Sequence, residues 1–211
     1  IADMDRSLHG ITLYNMHDVD DARYFSHNWQ VEATMEILRG WTMTAAFRYT
    51  DVKQTTFNTI ANEYQLRDKP LQNKFKGIVT TSYQTPLKTW QFDLTAQFNG
   101  EGRMPYGFER PEESKQYFTD ENRQVHHKWY PQLLGQITKF FRTWSIYLGA
   151  ENMTNFTQDN PIVGERLEAK SEKHGGFVNP HSANYDASMI WAPIHGWKIY
   201  LGFRWALERE E

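Results

Sequence analysis

The residues most able to do chemistry are few and scattered. His126-His127 with Trp129 nearby, and His174 with His181, could each offer imidazole ligands to a metal. With eight histidines in 211 residues such pairs also arise by chance. The acidic clusters Asp18-Asp20-Asp21 and Glu112-Glu113 lack the glycine and ligand spacing of a calcium loop and read as solvated loop. Ser, His and Asp are all present, yet no nucleophile elbow occurs, so the sequence points away from an enzyme. Gly100-Glu101-Gly102 is too short to cradle a phosphate. Tyr106, Phe108, Tyr117 and Phe118 could stack on a ligand or pack a loop, and packing is the stronger reading. Tyr106, Arg110, His126, His127 and Trp129 are the loop residues best equipped to touch a ligand. No cofactor and no metal is expected.

Any such site needs elements to hold it, and the dominant pattern is period two. From Trp90 to Asn99, Trp90, Phe92, Leu94, Ala96 and Phe98 alternate with Gln91, Asp93, Thr95, Gln97 and Asn99. Trp197, Ile199, Leu201, Phe203 and Trp205 alternate in the same way at the end of the chain. Trp29–Ile37 and Trp41–Thr50 repeat the pattern around a hairpin at Arg39-Gly40. A helix through Val31–Leu38 competes, but the strand also explains the adjoining run. Further strands are expected at Phe75–Tyr83, Leu133–Phe140, Trp144–Glu151 and, more briefly, Gly10–Met16. Leu133–Phe140 fits neither face well, which predicts a bulge.

Connections are tight at Arg39-Gly40, Thr85–Lys88 and Arg142-Thr143, but long and polar near 51–72, 100–129 and 152–195. Short turns at one end and long loops at the other describe an up-and-down sheet. Alternation alone suits a soluble sandwich as well as a barrel. Three features favour a transmembrane β-barrel. The eight tryptophans sit at or beside expected strand ends. The apolar runs span about nine residues, close to the ~9–11 that a tilted strand needs to cross hydrocarbon. The opposite face carries Glu32, Glu36, Arg48, Asp93, Lys198 and Arg204, charges that suit a wet lumen and not a dry core. No run of 18 apolar residues offers a membrane helix.

Composition agrees. The chain is 39% hydrophobic but 15% aromatic, with a net charge of -3 and basic residues dispersed along the sequence. Nucleic acid is therefore not expected as a partner, and charge alone gives no pull toward anionic headgroups. Zero cysteines exclude disulfides and thiolate metal sites. The opening Ile-Ala-Asp-Met-Asp-Arg reads as a processed product or a piece of a longer chain.

Tyr147-Leu148-Gly149-Ala150-Glu151-Asn152-Met153-Thr154-Asn155, followed by Gln158-Asp159-Asn160-Pro161-Ile162, resembles the "G-x-E-N-L-T-N" segment of TonB-dependent outer-membrane receptors of the Bacteroidetes kind. Tyr185–Trp205 resembles the end of the same barrel. The resemblance implies about eight C-terminal strands of a 22-stranded barrel in the bacterial outer membrane, spanning 1–205, with a polar tail at 206–211. It further implies contact with outer-membrane lipid, TonB acting through a plug that this chain lacks, and active uptake of a siderophore, cobalamin, metal chelate or glycan. For the loops to lie outside, Tyr185–Trp191 must not span. A small passive porin or adhesin barrel and a soluble β-sandwich binding module remain the alternatives.

Overall fold

A computed structural model describes residues 2–3, 12–13, 15–58, 61–105, 108, 114–165, 178–183 and 185–206. In chain order the strands are β1 (Ala2–Asp3), β2 (Thr12–Leu13), β3 (Tyr24–Leu38), β4 (Trp41–Asn58), β5 (Glu63–Asp68), β6 (Phe75–Gln84), β7 (Trp90–Asn99), β8 (Gly102–Arg103), β9 (Tyr117–Thr119), β10 (Val125–His127), β11 (Tyr130–Phe140), β12 (Trp144–Glu151) and β13 (Lys198–Trp205). The protein is all-β and its sheets are antiparallel. Among the described residues no α-helix occurs and no sheet closes on itself.

The main sheet runs β13-β12-β11-β7-β6-β4-β3, with β5 folded back on the far half of β4. It therefore holds seven long strands and one short one, where eight long strands were expected. The expected strand at Gly10–Met16 is represented among the described residues by Thr12–Leu13, which pairs with Ala2–Asp3 and not with the sheet. The connection at 51–72 is largely a hairpin, because β4 continues to Asn58 and pairs with β5 over Lys53–Asn58. Tyr185–Trp191 forms no spanning strand; Asp186 makes only an isolated bridge to Val163.

Register turns the sequence alternation into two continuous faces, because residues directly opposite on antiparallel strands share a side. One row reads Met35, Met43, Thr81, Leu94, Gly135, Ala150, Ile199 across seven strands. The next reads Trp41, Tyr83, Phe92, Ile137, Leu148, Leu201. The other face reads Thr34, Thr44, Thr80, Thr95, Leu134, with Glu151 opposite Lys198 at its edge.

The bulge expected in Leu133–Phe140 is not there. β11 pairs without interruption with β7 from Tyr130 to Lys139 and with β12 from Gly135 to Phe140. Alternation fails in the sequence because Gly135 and Lys139 occupy apolar-face positions, and the structure accommodates both. Met153 Sδ and a Leu94 methyl lie over Gly135, and the Lys139 ammonium sits 4.5 Å from the Trp90 ring centroid. The register shift lies instead between Glu36 and Leu38, one residue before the first turn.

Four tryptophans, Trp41, Trp90, Trp144 and Trp205, begin or end strands at the short-turn edge, and Trp197 and Trp129 immediately precede strands. Two depart from the expectation. Trp29 lies five residues inside β3, at the upper end of the apolar face, and Trp191 is packed among the long loops.

Candidate functional site

The long-loop end of the sheet carries a second, smaller structure. β8, β10 and β9 form a three-stranded sheet, tied to the main sheet where Lys74 N donates to Glu101 O and Leu71 N to Arg103 O. Beneath it lies a buried apolar cluster of Met104, Phe108, Tyr117 and Met189, with Leu71, Val125, Val163 and Trp191 packed around it. Packing, and not ligand stacking, is thus the role of Phe108 and Tyr117.

Consecutive strand residues point to opposite faces, and that rule separates the two histidines. His126 pairs with Phe118 and Arg103, whereas His127 pairs with Tyr117 and Gly102. The two imidazoles therefore cannot converge on one metal. His126 stacks on Phe118 at 5.1 Å and donates from Nε2 to Asp120 Oδ2 at 3.1 Å, leaving Nδ1 buried with no partner among the described residues. His127 is fully buried and lies flat on Trp191, with ring centroids 4.1 Å apart and 9° between planes. Its Nδ1 faces Lys128 O at 3.2 Å, so Nδ1 carries the proton and the buried Nε2 is a bare lone pair. Burial pushes the His127 pKa down to about 4, because a charged imidazole there would lose its water. Tyr117 is shifted upward, chiefly by burial, although the Trp191 indole donates to its hydroxyl at 3.1 Å.

The motif after β12 has a structural task. Asn152 adopts a left-handed φ of 50° and its Nδ2 donates to Phe156 O and His195 O, across 43 residues in the second case. Thr154 Oγ1 donates to Pro131 O, and Asn155 Oδ1 accepts from Trp197 N. Gln158 braces the far side, accepting from Trp191 N and donating to Met189 O. These side chains fasten the long connection between β12 and β13 to the sheet and to the apolar cluster. Asn and Gln suit the work because one amide both donates and accepts.

On the His126 side a polar pocket of about 290 Å³ opens between β4, β5 and β10. Lys53, Asp68, Lys74, Glu101, Asp120 and His126 contribute to its lining, with the Phe118 ring as its apolar wall. Lys74 Nζ lies 3.4 Å from Asp68 Oδ2, so cations and carboxylates interleave. Such a lining can hold a neutral or zwitterionic polar ligand better than a strongly charged one.

Of the loop residues singled out from the sequence, His126 reaches this pocket, His127 faces the apolar cluster, and Trp129 is exposed between β10 and β11. Tyr106 and Arg110 lie outside the described residues, as does His174. The sheet charges Glu32, Glu36, Arg48, Asp93, Lys198 and Arg204 all fall on the face opposite the apolar rows. There Asp93 accepts from Ser82 Oγ at 2.6 Å and from Gln91 Nε2 at 2.9 Å. Sequence reading missed Asp68, Glu101, Asp120 and Asn122, because only the fold-back of β5 and the turn at 120–123 bring them together.

No family model, no curated protein and no solved structure matches the chain.

Proposed function

We propose that this chain is part of the wall and outer crown of a TonB-dependent receptor in the bacterial outer membrane, which takes up a scarce extracellular ligand. One observation carries the reading. Among the described residues the wide sheet has no apolar core of its own, because the buried apolar side chains lie in the crown or at its border, whereas its apolar face stays open from the central strands, where Phe92, Leu94 and Ile137 are 42 to 44% exposed, to the edge strands, where Trp29 and Leu201 reach 73% and 70%. A continuous apolar face of this breadth is unfavourable in water and natural against hydrocarbon. The crown pocket then meets the ligand outside, and passage follows the polar face past Arg48, Glu32 and Asp93. Closing the barrel and coupling it to TonB fall to strands and a plug beyond this chain.

Membrane fractionation is the test. The protein is expected in the outer membrane, released only by detergent, and ligand accumulation by whole cells is expected to stop when the proton-motive force is collapsed. Recovery as a monodisperse protein in detergent-free buffer would sink the barrel, and uptake that survives de-energisation would favour the passive porin.

A specific feature favours a second reading. The apolar face bears an indentation of about 810 Å³ that reaches from Leu38 to Ile199 over Thr81, Gly135 and Ala150. In a soluble half-shell it would hold a lipophilic molecule, and the same fractionation separates that module from the barrel.

A further inference from the structure

The sequence disperses its cations, but the fold gathers several of them at the short-turn edge. Lys88 lies in the β6–β7 turn, Arg142 in the β11–β12 turn, and Lys139 at the end of β11. The two turns are joined where Phe140 N donates to Thr89 O at 2.8 Å. Lys88 and Arg142 are exposed, and among the described residues no carboxylate pairs with any of the three. Lys139 is placed more pointedly. It sits on the apolar face, opposite Trp90, with its ammonium 4.5 Å from the Trp90 centroid and 5.9 Å from that of Phe141. An amine held at the rim of an apolar face by aromatic rings is the arrangement that meets a membrane interface. By register the carboxylate next to these turns, Asp93 on β7, belongs to the opposite face and accepts from Ser82 Oγ and Gln91 Nε2. The loop end differs, since its charges are mixed and partly paired, as in Asp68 with Lys74 and Asp120 with His126.

We propose that Lys88, Lys139 and Arg142 form a site for the phosphate of an anionic phospholipid in the leaflet at the short-turn edge. The proposal rests on the membrane-spanning reading above. The apolar indentation begins at Ile137, two residues from Lys139 on the same face, so an acyl chain can lie in it while the phosphate meets the cations. Free phosphate has no use for that second feature, and the occupant is therefore a lipid. Under the receptor reading this edge faces the periplasm, and the lipid belongs to the inner leaflet.

The full-length protein carrying this chain is reconstituted in nanodiscs of equal phosphatidylcholine and phosphatidylglycerol, released in mild detergent, and its retained lipid measured by mass spectrometry. The wild type is expected to retain phosphatidylglycerol preferentially. Lys88→Gln with Arg142→Gln should lower that preference by about fivefold for each cation removed. Lys115→Gln with Lys128→Gln, at the loop end, should leave it unchanged. Insertion with equal retention of both lipids, an equal loss in both pairs of variants, or displacement of the lipid by millimolar inorganic phosphate would each overturn the site. Failure to enter nanodiscs at all would instead overturn the membrane reading from which it starts.

Discussion

His127 shows how one residue can make the crown sensitive to acid. Its neutral ring is stacked on Trp191, and its folded pKa of about 4 lies below the ordinary 6.5. The unfolded chain therefore takes up a proton first as pH falls, so the stabilisation is complete above pH 6.5 and is lost as pH drops toward 4. The difference amounts to about 3 kcal/mol. Amide protection factors at Met104, Tyr117 and Met189, which divide out the intrinsic slowing of exchange in acid, are expected to fall across that interval, and His127→Gln should flatten the dependence; an equally steep fall in the variant would refute the assignment. Gly102 tests the same contact from the other side. A Cβ there would come within 2.6 Å of His127 Nε2 and 2.8 Å of the Gln72 carbonyl. Backbone cannot yield as a side chain can, so Gly102→Ala should cost about 1–3 kcal/mol and shift Trp191 fluorescence. Neither role was legible in the sequence. His126-His127 offered two imidazoles side by side, and only the strand register reveals that they point apart.

At the scale of the strands, much was legible because a two-faced sheet writes its period into the chain. Trp90–Asn99 and Trp144–Glu151 coincide with β7 and β12, and Arg39-Gly40 is the turn between β3 and β4. The misreadings share a physical cause. In β11, Gly135 and Lys139 break the apolar rhythm, but the turn after β12 supplies the Met153 sulfur and β7 the Trp90 ring that let them lie on that face. In β5, Glu-Tyr-Gln-Leu-Arg-Asp offers only Tyr64 and Leu66 to one face, too short an alternation to stand out, and pairing with the outer half of β4 makes it a strand. The glycines between β12 and β13 follow the same logic of cross-strand supply. Tyr200 covers Gly149 and Tyr147 covers Gly202, with the two rings 6.2 Å apart, so each ring occupies the space its partner strand leaves open. The facing itself can be tested within β7. Leu94→Arg puts a charge on the apolar rows and should cost ~2–4 kcal/mol in a bilayer, whereas Gln97→Arg on the polar face should cost less than about 1 kcal/mol. The measure is the temperature at which the folded band disappears on an unboiled gel. Equal shifts would contradict the two faces; Asp93 is the poorer control, because its carboxylate already serves Ser82 and Gln91.

The crown was nearly invisible in the sequence because its contacts are long-range, with Met104 packed against Met189 and Gln158 bonded to Trp191. Two edges were equally invisible, and they decide how the whole molecule behaves. Among the described residues β3 pairs only with β4 and β13 only with β12, so there each presents one row of backbone N–H and C=O groups without a strand. In water such an edge invites association, and in hydrocarbon each unpaired group costs several kcal/mol. The 211-residue chain alone is therefore expected to self-associate in detergent through these edges. Because it has no cysteine, engineered thiols report without background. Gln30→Cys on β3 with Tyr200→Cys on β13 should crosslink between molecules. A second edge change, Leu201→Pro, removes one N–H from β13 and should leave β3 as the only route to association. Light scattering should then show a smaller assembly, while the β7–β11 pairing, being central, stays protected from hydrogen exchange. If the chain instead remains monomeric and the two engineered thiols join within one molecule, the two edges have met and the chain closes a small barrel of its own. That outcome would remove the need for partner strands and turn the functional reading from a receptor wall to a complete narrow pore.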